Sequence, residues 1–283
     1  MTTLSLLALG LALLAAEKEP ATTASAAALA ALQQLHHDEA NRWQMFLDAD
    51  HKSKADFRAK PIYVWTNPTR SQGQHGAVFV WIKQGRPVAV GSTFSHPEDE
   101  KRMLCHEFHS LATGSLHPQH PQAIEAWSPK GALKFESLPA APVPAESPAK
   151  RMIQMRAMVR DFTAHSIDYQ KERWALRMLT QPLYRYEKPE GEVIDGALFA
   201  FVTSAGTDPE VILALEARSD GEKPAWMYRA IRFSDSNLYV QHRDKEVWSS
   251  VRDDKHTLHY NADHTYRLIR DRYLDELPEL AQP

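Results

Sequence analysis

Gly76-Ala-Val-Phe-Val-Trp-Ile82 and Gly196-Ala-Leu-Phe-Ala-Phe201 stand about 120 residues apart and read almost alike. Both are dense in β-branched and aromatic residues, the composition of a well-packed strand. Pro61-Ile-Tyr-Val-Trp65 precedes the first, and Pro182-Leu-Tyr-Arg-Tyr186 precedes the second. Pro87-Val-Ala-Val90 and Pro209-Glu-Val-Ile212 follow them in turn. Shared order and shared spacing point to an internal duplication.

A helical pattern leads into each set. In the first, Leu29, Leu32, His36, Ala40, Trp43 and Leu47 recur at three-four spacing, which predicts a helix ending near Ala49. In the second, Ser147 can cap a helix and Pro148 suits its first turn, with Met152, Met155, Val159 and Phe162 on one face. A helix with one apolar face needs a sheet to cover. The fold class expected is therefore α+β: a duplicated unit of one long helix packed on a curved antiparallel sheet. The plan is similar to that of cystatin or nuclear-transport-factor-type domains, an analogy of fold alone. The first helix-plus-sheet repeat is expected over 17–138 and the second over 148–283. Between them, 139–147 forms a proline-rich linker with Pro139, Pro142 and Pro144.

Leu4 to Ala16 carries no charge and has the length of a signal-peptide core, shorter than a membrane span. Residues 1–16 are expected to be a signal peptide, which makes the mature protein secreted or periplasmic with no transmembrane segment after cleavage. A single cysteine, Cys105, rules out an internal disulfide, so a packed core must supply stability. The net charge of -3 lacks the basic excess of a nucleic-acid surface, and no nucleic-acid partner is expected. A mean hydropathy of -0.47 is ordinary for a globular chain.

Chemistry is best sought in Cys105-His106-Glu107-Phe108-His109 and the following Leu116-His-Pro-Gln-His-Pro121. His106, His109, His117, His120 and Glu107 are the candidate metal ligands, since imidazole with carboxylate suits zinc and related metals. The spacing is not His-Glu-x-x-His. On a strand, Glu107 and His109 share one face and His106 points the other way. No cofactor other than such a metal is expected. His256, His259 and His264 form a second group with Asp254 and Asp263 nearby, and Asp263-His264 reads as the polar tip of a hairpin between Leu258-His-Tyr260 and Tyr266-Arg-Leu268. Asp161, His165 and Asp168 lack a nucleophile elbow, and Cys105 reads as a buried, inert thiol. The seven tryptophans mostly fall in predicted strands, where they pack a core or line a sheet able to hold a small apolar or carbohydrate ligand.

Gln181-Pro-Leu-Tyr-Arg-Tyr-Glu187, Asp195-Gly-Ala-Leu-Phe-Ala-Phe201 and Gly206-Thr-Asp-Pro-Glu-Val-Ile212 resemble an uncharacterised family of exported, planctomycete-type bacterial proteins. That resemblance implies export and assigns no activity. Two functions follow from the residues. The leading one is an exported, non-enzymatic binding or structural protein. The alternative is a metal-dependent hydrolase using the histidines of 106–120.

Overall fold

The computed structural model describes residues 23–67, 73–99, 101–124, 127–131, 133–187, 189, 191–219, 223–252 and 261–274. The expected signal peptide lies outside them, as do Asp254, His256 and His259.

The first half runs α1 (Thr23–Arg42), β1 (Gln44–Phe46), β2 (Asp56–Phe57), β3 (Tyr63–Asn67), β4 (Gln74–Lys83), β5 (Arg86–Glu98), β6 (Lys101–Ser110), β7 (His117–Gln119) and β8 (Glu136–Ser137). Next come α2 (Pro148–Met158), one 3-10 turn (Val159–Asp161), β9 (Phe162–Ile167), β10 (Arg173–Met178) and β11 (Tyr184–Glu187). The chain continues through β12 (Val193–Thr203), β13 (Pro209–Arg218), β14 (Ala225–Arg232), β15 (Asn237–His242), β16 (Lys245–Ser250) and β17 (Tyr266–Leu274).

Strands dominate: among the described residues 51% are strand and 13% helix. One sheet has the order β17-β6-β5-β4-β2, with β3 also on β4. The other curls as an eight-strand half-barrel in the order β16-β15-β9-β10-β12-β13-β14-β8, with β11 also on β12. All the pairings are antiparallel, and β1 with β7 makes a small third sheet.

This overturns the α+β class and the duplicated helix-on-sheet unit. The two halves trade strands. β8, from the first half, pairs with β14, and β17, from the C-terminal end, pairs with β6. Neither helix covers a whole sheet. α1 lies on β4 and β5, and α2 lies on β12. The apolar faces that suggested helix-covered sheets are covered largely by the other sheet. Trp65, Val78, Val80, Val90 and Cys105 of one sheet share a core with Tyr186, Leu198, Ile212, Ile231 and Phe233 at the other. Two further cores lie outside this one, below α1 and below α2.

The similar wording of the halves has a local cause. Trp65 pairs across the strands with Gly76, and Tyr186 with Gly196. In each case the aromatic ring occupies the space a Cβ would need, with its nearest atoms 2.4 Å and 2.3 Å away. Gly91 and Phe108 make a third such pair on β5 and β6, where a Cβ would meet Phe108 Cδ1 at 2.4 Å. Phe108 is fully buried and stacked on Trp127, so it has little room to retreat. Gly91→Ala is expected to cost about 1–3 kcal/mol through overpacking, read as a lower urea midpoint at unchanged slope. A neutral result would mean that the Phe108 ring moves aside.

α1 ends at Arg42, short of Ala49, because the chain turns into β1 there; Met45 and Phe46 are buried from a strand. Ser147 caps α2 as expected, its side chain accepting from the Lys150 N–H. Asp161 and His165 are not one helical turn apart: Asp161 closes the 3-10 turn and His165 lies on β9. No helix among the described residues is long and apolar enough to cross a membrane.

Candidate metal centre

Three elements converge under α1. Ala28, Leu32, His36, Glu39 and Ala40 form the buried face of that helix, and the buried Trp43 follows its last residue. Glu39 holds a position where an apolar residue would be expected, and it is buried (1% exposed). Below it, strand alternation on β6 turns Phe108 and His106 toward α1, the His106 ring lying 5.7 Å from Trp43. The third element is β17. Its pairing with β6 is regular up to Arg270 opposite Cys105, then slips so that Arg272 faces Leu104. Asp271 is the extra residue of this β-bulge, a device that re-aims side chains. Both Asp271 and Arg272 consequently reach the space beneath α1.

Ligand atoms of Glu39, His106 and Asp271 all lie within 4.8 Å of one another. His106 Nε2 is 3.5 Å from Asp271 Oδ2. The approach is not aligned as a hydrogen bond, and Nε2 is buried with no hydrogen-bond partner among the described residues. Its other nitrogen, Nδ1, is 3.3 Å from the Thr93 hydroxyl on the paired strand. With Nδ1–H donated to Thr93, Nε2 presents a lone pair toward the two carboxylates, the usual arrangement of a metal-binding imidazole. An orphaned nitrogen beside two carboxylates fits a divalent cation of the zinc type.

Two arginines set the charge. Arg272 Nη2 lies 2.7 Å from Glu39 Oε1, and Arg42 Nη1 lies 3.1 Å from the same oxygen. Arg272 also pairs with Asp271 through Nη1. Burial raises the Asp271 carboxyl pKa, but Arg272 and a His106 ring protonated at Nε2 together outweigh it and hold the group below its ordinary value; a cation at Nε2 would stand in place of that proton.

His120 closes the group on its outer side. Its ring centroid is 6.3 Å from His106 and 4.9 Å from Trp43. Its Nδ1 accepts from the Gln122 N–H, and its Nε2 is buried with no partner among the described residues. Burial first, then His106, lowers the pKa of this imidazole and keeps it neutral. His120 also lines an open cleft of ≈ 600 Å³ with Trp43, Gln44, Pro118, Gln119 and Trp127.

Of the residues marked from the sequence, the fold brings His106 and His120 together. Glu107 and His109 point to the opposite face of β6. There Glu107 accepts from the Tyr266 hydroxyl at 2.6 Å, and burial pushes its pKa up to about 8. His109 Nδ1 is 2.8 Å from the Ser110 carbonyl, and burial lowers that ring to about 3. His117 lies on β7 opposite Phe46, its ring 6.4 Å from His51. Cys105 is buried in the inter-sheet core, its thiol raised to about 12 by burial. Five tryptophans, Trp43, Trp65, Trp81, Trp127 and Trp226, are buried core residues.

Glu39 and Asp271 escaped the sequence reading. Glu39 left a signal, a carboxylate three residues after His36 on the buried stripe. Asp271 left none, since only the bulge makes it face His106.

No known protein family, no curated protein and no solved structure matches the chain. The buried Glu39–His106–Asp271 group, able to coordinate a metal ion, is therefore the observation from which function is argued.

Proposed function

We propose that the protein is a metal-dependent hydrolase whose cation sits among Glu39, His106 and Asp271, with His120 as the donor nearest the cleft. The observation that carries this reading is the unpartnered Nε2 of His106 facing two carboxylates. It places the metal alternative ahead of the non-enzymatic binding protein.

A divalent cation held there supplies a Lewis acid for the activation of water or a carbonyl. The chain supplies the rest. Thr93, accepting from Nδ1–H, would hold His106 with Nε2 toward the cation, while Arg272 holds both carboxylates in place. His120, neutral and at the cleft wall, is placed to bind or to accept a proton from a reacting group. Apart from His120 the described cleft lining is uncharged, which favours a neutral ester or amide over a phosphate.

A second reading has its own support. Arg272 bridges Glu39 and Asp271, and this could be an ion-pair clasp tying α1 to β17. Zinc loading followed by desalting and elemental analysis separates the two. About one zinc per chain is expected, lost in His106→Gln, with about 10–100-fold weaker affinity in Thr93→Val. Absence of zinc from the wild type would leave the clasp. Zinc-dependent cleavage of 4-nitrophenyl acetate, absent in His106→Gln, is expected of the hydrolase. If zinc binds and cleavage equals that of His106→Gln, the hydrolase reading fails while the metal site stands.

A further inference from the structure

A second pocket lies where the β4–β5 hairpin meets the entry to β12, and it shares no lining residue with the metal centre. It has a volume of ≈ 330 Å³, and Lys83, Arg86, Arg218 and Glu192 line it together with the apolar Leu47 and Val193. Gly85, at the hairpin turn, abuts Pro189 of the second half: a Cβ placed on Gly85 would lie 3.3 Å from Pro189 Cα.

The two arginines are held rigidly. Behind the pocket, buried Glu216 accepts from Arg86 Nε at 2.9 Å, from the Tyr186 hydroxyl at 2.7 Å and from Arg218 Nε at 2.7 Å. Arg218 Nη2 also donates to Glu216, and Arg86 Nη1 donates to the Leu111 carbonyl at 3.1 Å. Both guanidiniums lie over the Phe135 ring, at 4.2 Å from its centroid for Arg218 and 5.6 Å for Arg86. Among the described residues, Arg86 Nη2 and Arg218 Nη1 have no protein acceptor. Lys83 Nζ donates to the Lys54 carbonyl at the rim, leaving donor capacity to spare.

Charge does not cancel here. Lys83, Arg86 and Arg218 bring three positive charges, and Glu216 and Glu192 return two. A fixed pair of guanidinium edges in a partly enclosed pocket is preorganised for an oxyanion, because the ordering cost has been met by Glu216 and Phe135. The apolar walls add room for a short hydrocarbon part, and the volume is that of a small-molecule site.

We propose that this pocket binds a small organic anion, its carboxylate or phosphate oxygens on Arg86, Arg218 and Lys83 and its apolar part against Leu47 and Val193. This site is independent of the metal centre.

Isothermal titration with hexanoate and, separately, with inorganic phosphate tests it. One equivalent of at least one probe is expected to bind, with affinity falling as salt rises. Tighter binding of hexanoate would assign a carboxylate with an apolar tail, and tighter binding of phosphate a phosphate head. Lys83→Gln, at the rim, is expected to weaken binding about tenfold. Arg218→Lys keeps the charge, loses the planar fork and is expected to weaken it similarly. No saturable binding of either probe by the wild type would overturn the proposal. So would binding that both variants leave unchanged.

Discussion

Asp195→Ala is expected to lower the stability of the protein by about 3–5 kcal/mol. Asp195 lies on β12 and is fully buried. It accepts from Arg151 Nε at 2.8 Å and from Arg185 Nε and Nη2 at 3.1 and 2.8 Å. Arg151, on α2, is itself 3% exposed, and its Nη1 goes to the carbonyls of Ala145 and Glu146. Arg185 also donates to the Pro148 carbonyl. One carboxylate thus ties α2, the turn that precedes it and β11 to the sheet. Its loss strands a desolvated guanidinium, and that penalty exceeds the value of the bonds themselves. Urea unfolding of the variant beside the wild type measures it. A loss below about 1 kcal/mol would show that water reaches Arg151 once the carboxylate is gone.

Stability should peak near pH 6.5 and fall on both sides. His36, buried on α1, and His109 both have pKa values lowered by burial to about 3. The unfolded chain binds their protons from its ordinary pKa of about 6.5 downward, and the folded chain does not. Stability therefore drops as pH falls from 6.5 toward 3, by about 1.4 kcal/mol per unit for each ring. Burial lowers the pKa of His75, His96, His120, His165 and His242 too, and they act in the same direction. Glu107 acts oppositely. Its folded pKa is raised to about 8, so the folded state keeps a proton that the unfolded state has lost. Its contribution is fully present below the ordinary carboxyl pKa of about 4.5 and is lost as pH rises through 8. Between 4.5 and 6.5 the histidines outweigh it; above 6.5 it acts alone among these groups. Chemical denaturation from pH 4.5 to 8.5 should trace this maximum, and Glu107→Gln should flatten the alkaline limb. A wild-type curve still climbing between pH 6.5 and 8 would mean that Glu107 is ionised in the fold.

Period and local wording were legible in the sequence; long-range pairing was not. The alternation of Cys105 to His109 on a strand follows from a repeat of two, and it correctly separated His106 from Glu107 and His109. Ser147 and Pro148 announce α2 because capping is a local matter. The likeness of the two halves is also local, an aromatic ring laid over a glycine at Gly76 and again at Gly196. It did not extend to whole units, because β8 and β17 change sheets and nothing in either segment advertises its partner. The first helix was read too long for a related reason. Phe46 and Leu47 continue its spacing, but strand pairing with β7 claims Phe46. At the metal centre, His106 and His120 were visible as histidines in a cluster. Glu39 could have been found as a charge on an apolar stripe, whereas Asp271 depended on a pairing irregularity with no composition of its own.

The bulge in β17 makes the centre far more sensitive to chain length than to side-chain identity. One residue deleted between Ile269 and Tyr273 would restore regular pairing and exchange Asp271 for a neighbour of different chemistry. One residue added would carry Arg272 away from Glu39. Descendants of this sequence that keep the centre can drift freely at exposed positions of β17, but they must conserve the count from Tyr266 to Arg272. Spacing in that strand, counted across relatives, is the trace by which the same centre can be found in chains whose residues no longer look alike.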